Sequence, residues 1–243
     1  MTRGRLARYS VWQFRDFAVD RGIGILIIGF LWGYVLIEPL RRSMGPQWAN
    51  AGAAVVWPIV LQVSSAIVSL SVLIALNGIV SSDRKAGYYR FLFSKPVNPV
   101  AYYAQLFFVH MAGVLAAMLL LSGLLRSVLP TFNILNYLLY TAVIYIAMGG
   151  IGFFLSVATR YDWLTLAAVW LGSRVLRTLY GPRHDWRSKL VEVLPPVHKL
   201  DDVANSLIAT GAADVTDVVW LIGYGALFFV LGLFVLRRGS LAD

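Results

Sequence analysis

The chain has 243 residues, of which 59% are hydrophobic and only 14% charged, while an average soluble domain carries roughly 25% charged residues; a surface turned to water is excluded. Its formal charge of +9 does not indicate nucleic acid, because the basic residues cluster at the ends of apolar runs and build no basic domain; anionic lipid suits them better. The absence of cysteine excludes disulfides and thiolate metal or redox sites.

In chain order, the first feature is a run of five arginines, Arg3, Arg5, Arg8, Arg15 and Arg21, interleaved with Tyr9, Trp12, Phe14 and Phe17. The apolar stretch behind it starts only near Gly22 and no small-residue cleavage site follows, so a cleaved signal peptide is not expected. Residues 1–21 read either as an interfacial helix, since aromatics and arginines suit the headgroup region, or as a frayed basic tail. On a helical wheel their apolar residues form no single clean face.

From residue 22 to 243 the sequence predicts six transmembrane helices, near 22–40, 53–81, 101–125, 134–158, 163–180 and 217–236, giving an all-α polytopic membrane protein. Long stretches such as Ser43 to Ser82 and Ser127 to Thr159 carry no charged side chain, and about 20 apolar residues cross the hydrocarbon core. Pro58 falls near the start of the second span, where a helix tolerates it. Gly29-x-x-x-Gly33 and Gly149-Gly150-x-Gly152 let helices approach closely, and packing within one chain is the expected use.

Sidedness follows from Lys and Arg in short loops. With the N-terminus inside, the inner side collects Arg3, Arg5, Arg8, Arg15, Arg21, Arg84, Lys85, Arg90, Lys95, Arg160, Arg237 and Arg238, against Arg41, Arg42 and Arg126 in the short outer loops; the long segment from Gly181 to Asp217, which counts less, adds Arg183, Arg187, Lys189 and Lys199 outside. Both termini are therefore expected in the cytoplasm, which needs an even number of spans. Residues 181–216 form a long outer segment in which Leu190, Val193, Leu194, Val203, Leu207 and Ile208 are spaced as on one-sided helices, interrupted by Pro195-Pro196 and stopped by Gly211. Two short helices on or dipping into the outer leaflet are expected there.

The most informative loop is 82–97. Ser82 or Asp83 can cap a short helix, Tyr88, Phe91 and Leu92 fall on one face, and Pro96 ends it. Those aromatics either lie in the inner leaflet or dock a soluble partner in a helix-in-groove contact. The pattern Asp83-Arg84-Lys85-x-Gly87, followed by Leu92-Phe93-Ser94-Lys95-Pro96-Val97, resembles the cytoplasmic loop of type-2 ATP-binding-cassette (ABC) permeases. The resemblance extends to the basic N-terminal segment, the six spans, Leu194-Pro195-Pro196 between spans five and six, and Arg237-Arg238 after the last. One departure is Ala104-Gln105 near the place where the family has glycine-lysine entering span three.

The resemblance implies a transport subunit, exporter-like, in which two permease chains, alike or different, pair with two ATP-binding subunits in the cell (inner) membrane. Residues 84–94 would be the coupling helix, with Asp83, Arg84, Lys85, Gly87, Tyr88, Phe91 and Leu92 meeting the ATPase. Consistent with this, no G-x-x-x-x-G-K-[ST] phosphate loop occurs, so ATP and Mg would belong to the partner and no cofactor to this chain.

Polar residues inside the spans supply the remaining candidates. Arg174 and Arg177 share one face of span five and either attract an anionic group in a substrate path or snorkel to the headgroups. Gln62, Asn77, Gln105 and His110 either bond neighbouring helices or, for Gln62 and Asn77 above all, line a path. No catalytic residue and no metal site are expected: the acids all stand at span ends or in loops, and the three histidines have no ligand spacing. That argues against an intramembrane lipid-modifying enzyme, and the lack of an inverted repeat argues against a secondary transporter.

Overall fold

The computed structural model describes residues 3–45, 52–85, 98–159, 162–180 and 197–238, and these are helical apart from short turns. The helices are α1 (Arg3–Phe17), α2 (Ile23–Met44), α3 (Gly52–Leu76), α4 (Ser81–Lys85), α5 (Pro99–Val128), α6 (Ile134–Ala158), α7 (Asp162–Tyr180), α8 (Val197–Thr210) and α9 (Val215–Arg238). Among the described residues, five helical stretches are long and apolar enough to cross a membrane: Tyr9–Val35, Pro58–Asp83, Pro99–Ser127, Ile134–Ala158 and Val215–Arg238. The fifth expected span corresponds to α7, a 19-residue helix that is not among them. Asp162 at its start and Arg174 and Arg177 in its second half make it less apolar than the others.

The N-terminal segment does not stand apart from the first span. A π-helical turn, Ala18–Gly22, joins α1 to α2, and the residues flanking it keep helical backbone angles. Its cause is visible in the buried stripe, which steps through Gln13, Phe17, Gly22, Ile25 and Gly29. The step from 17 to 22 is five residues, one too many for an α-helix, and a π turn absorbs the surplus. A wheel drawn at 3.6 residues per turn could not find that face.

This face packs on α5. Phe17 lies over Gly113, where an added Cβ would come 2.3 Å from the Phe17 ring, and its ring centroid is 5.0 Å from that of His110. Gln105 Nε2 donates to Ser10 Oγ at 2.8 Å.

At the centre is α6, flanked by α3, α5, α7, α8 and α9. Asn133 caps its start, its side chain accepting from the backbone of Leu135 and Asn136. Tyr137, Tyr140, Tyr145 and Phe153 are fully covered, and the Tyr145 hydroxyl donates to the Phe107 carbonyl at 2.9 Å. Glycines let α9 lie directly on α6: a Cβ at Gly150 would fall 1.9 Å from the Gly225 carbonyl oxygen. Gly29 of α2 and Gly150 of α6 thus serve packing within the chain.

Of the two short helices expected in 181–216, α8 is one; residues 181–196 lie outside the described part. α8 ends at Gly211, whose φ of 72° is left-handed and cheap only for glycine. Its apolar face, Leu200, Val203, Ala204, Leu207 and Ile208, is buried, chiefly against α6 and α3. That face therefore meets protein, and Lys199 forms an ion pair with Asp217 at the start of α9.

Candidate functional site

The root of the 82–97 loop is built where α3 stops. Beyond Leu76 the chain turns through residues 77–80, with Gly78 at φ 72°, and Ile79 N bonds to the Leu76 carbonyl. The Ala75 carbonyl thereby loses its usual i+4 partner, the ordinary fate of a helix C-terminus. Two side chains from elsewhere reach it. Arg21, in the π turn, donates from Nη1, and His110 Nδ1 of α5 lies 2.8 Å away. The histidine bond assigns the proton to Nδ1, so the 3.5 Å approach of Arg21 Nη1 to the same nitrogen is a contact rather than a second bond. A cation at a helix C-terminus is also favoured by the helix dipole.

The start of α4 is held from a third side. Ser156 of α6 accepts from Val80 N at 3.1 Å and Ser81 N at 3.3 Å. The capping expected from Ser82 or Asp83 thus comes from a residue distant in sequence. Ser82 instead turns its hydroxyl back to the Gly78 carbonyl. Asp83 accepts from the Tyr103 hydroxyl of α5 at 3.1 Å. The base of the loop is therefore bonded to α5, to α6 and to the first span through Arg21.

At the other end of the bundle α3 lines a cavity of about 620 Å³. Gln62, Ser65 and Ser69 stand at i, i+3 and i+7 and form a polar stripe along it, facing Tyr140 of α6 and Asp201 and Asn205 of α8. The lining runs from Pro58 to Leu73, roughly 22 Å along the helix, against a hydrocarbon core about 30 Å thick. Leu61, Leu70, Leu73 and Trp32 supply apolar wall. Hydroxyl, amide and carboxylate groups spaced along an apolar surface can hydrogen-bond a guest inside a membrane, where such bonds find little competition from water.

Of the expected path residues, Gln62 lines this cavity. Asn77 does not: it is exposed in the turn after α3, beyond the end of the lining. Arg174 and Arg177 belong to α7, and their side chains lie outside the described residues. Of the expected coupling residues, Asp83, Arg84 and Lys85 belong to α4, with only the Asp83 side chain described. Gly87, Tyr88, Phe91 and Leu92 lie outside the described residues altogether. Among the described residues no group of three or more His, Asp or Glu could hold a metal ion.

Sequence reasoning missed Arg21 and Ser156, since neither carries a local signal: one is the last of a basic run, the other a serine in an apolar helix. Ser65 and Ser69 were within reach through their spacing from Gln62. No family model, curated protein or solved structure matches the chain.

Proposed function

We infer that this chain is the membrane-embedded permease subunit of an ABC transporter of the type-2 kind, exporter-like, driven by a separate ATPase seated on residues 82–97. The observation that carries the reading is the root of that loop. Asp83, the Val80–Ser81 backbone and the Ala75 carbonyl are bonded to Tyr103, Ser156, His110 and Arg21, so a push on the loop reaches the first span, α5 and α6 at once. A loop used only as a linker would have no need of three attachments at its base.

In this reading α7 is also a crossing, the fifth of six, both termini face the cytoplasm of the cell (inner) membrane, and a second permease chain, the same or different, completes the path. ATP and Mg are bound by the ATPase, and this chain does no covalent chemistry. The Gln62 stripe lines the part of the path that opens on the far side from the ATPase, and Arg174 and Arg177 belong to the outer part of the fifth span.

The test is co-purification. Replacing Phe91 and Leu92 by Asp should abolish recovery of an ATP-hydrolysing partner from membranes while the permease still inserts. Unchanged recovery of the ATPase would remove 82–97 as its seat.

A further inference from the structure

The transport reading makes no use of a second cavity, of about 290 Å³, that lies between α2 and α5. Gly29 and Gly33 form one wall, Leu121 and Leu125 the other, with Ile67 of α3 between them. Gly33 leaves room rather than making a contact: an added Cβ would meet only Leu125 Cδ2, at 3.9 Å. The groove is apolar along its length and charged at one end, where Glu38 and Arg41 line it.

That end is ordered. Glu38 Oε2 accepts from Arg41 Nε at 2.8 Å, and Oε1 accepts from Arg41 Nη2 at 2.9 Å and Arg42 Nε at 3.0 Å. The Glu38 side chain is 9% exposed, while those of Arg41 and Arg42 are 46% and 71% exposed. One covered carboxylate thus orients two outward guanidiniums and leaves one positive charge in excess.

Length and depth select the guest. In the sequence the apolar run of α2 continues to Ile37 and gives way to Glu38, Arg41 and Arg42, so the two arginines stand at headgroup level. From Gly29 to Ile37, the last apolar residue before the charged end, is roughly 12 Å of helix, within the ~15 Å from the edge of the hydrocarbon core to its midplane. A cleft with this length, apolar walls and the Arg41 guanidinium at its mouth, with Arg42 held beside it on Glu38, matches one acyl chain below a phosphate, which guanidinium groups bind through charge-assisted hydrogen bonds. A small soluble anion would leave the apolar part empty, and a helix about 10 Å across would not enter it.

We propose that this groove binds a glycerophospholipid of the surrounding bilayer, one acyl chain lying between α2 and α5 and its phosphate held by Arg41 and Arg42.

Native mass spectrometry of the full chain in mild detergent tests this, with phosphatidylglycerol as probe. The wild type should retain phosphatidylglycerol over a diacylglycerol of the same chains. Retention should fall roughly tenfold or more in Arg41→Gln/Arg42→Gln, the loss expected when a charge-assisted hydrogen bond is removed. Gly33→Leu, which fills the groove from the open side, should lower retention too while elution on size exclusion stays that of wild type. Retention unchanged in the arginine variant, or equal for diacylglycerol, would overturn the headgroup assignment. Retention unchanged in a normally eluting Gly33→Leu would overturn the groove as the place of the chain. Displacement of the lipid by inorganic phosphate would point to a soluble anion, and a wild-type dimer lost in Gly33→Leu to a second copy; either result overturns the proposal.

Discussion

Two helix seams in this bundle start from the same kind of sequence signal and end differently. Between α6 and α9 glycine meets glycine: a Cβ at Gly150 would lie 1.9 Å from the Gly225 carbonyl oxygen, and one at Gly225 would lie 2.1 Å from the Ile146 carbonyl oxygen. Between α2 and α5, Gly29 and Gly33 face leucines, and while Leu121 reaches Gly29, Leu125 stops 3.9 Å short of a Cβ at Gly33. The first seam is closed by backbone on backbone; the second is closed at one end and open at the other. A small-residue pair therefore says that helices can approach, and the opposite helix decides whether they do.

The largest effect should come from the closed seam. Gly225→Leu drives a side chain into the α6 backbone, which cannot move aside as a flexible side chain can. Overpacking of ordinary cores costs about 1–3 kcal/mol, and a clash with backbone sits at or above the top of that range. The expected outcome is loss of monodisperse protein on size exclusion. A normally eluting Gly225→Leu would mean that the two helices are not in contact there.

Next in size is the pin between the first span and the end of α3. Arg21 ties the first span to the Ala75 carbonyl, and its removal should cost about 1.5–3 kcal/mol, as for other hydrogen bonds to charged groups. Because His110 serves the same carbonyl, Arg21→Gln and His110→Ala should not be additive in a double-mutant cycle. Additive losses in the apparent Tm would show that the two residues act at separate places.

How much of this was legible in the sequence depends on how local each signal is. Length and apolar content alone marked six crossings, five of which correspond to helical stretches long and apolar enough to span, and Gly211 marks a helix end through its own backbone preference. The continuity of α1 with α2 was hidden, because the five-residue step between Phe17 and Gly22 breaks the period a wheel assumes. Ser156 was hidden for a different reason: its role depends on two amide groups some 75 residues away in the chain. Gln62 could be singled out as a polar residue in an apolar helix, whereas Asn77, equally polar, fell in a turn and off the cavity. Composition identifies polar residues in a span; only the end of the helix tells which of them face a void.

Ser156 also joins the loop root to the helix of the closed seam, and its removal is a milder break. Ser156→Ala leaves the amides of Val80 and Ser81 without their acceptor, a loss of about 1 kcal/mol by analogy with helix caps. Hydrogen exchange at those two amides should speed up roughly fivefold, with α3 unchanged. Exchange that stays slow would mean that the start of α4 is held by something other than this serine.

The smallest effect, and the one that separates the seams most cleanly, is a methyl group. Gly33→Ala meets Leu125 at ordinary van der Waals distance and replaces a glycine within α2 by the best helix former, so it should be neutral or stabilising by up to about 1 kcal/mol. Gly150→Ala adds the same methyl against a carbonyl oxygen 1.9 Å away and should destabilise despite the same gain in helix propensity. Measured side by side as apparent Tm in one detergent, the two substitutions share their chemistry and differ in the opposing surface. A rise or no change for the first with a fall for the second is the expected pair. Equal falls would mean that α2 and α5 are closed at Gly33, and the space assigned to an acyl chain would be gone.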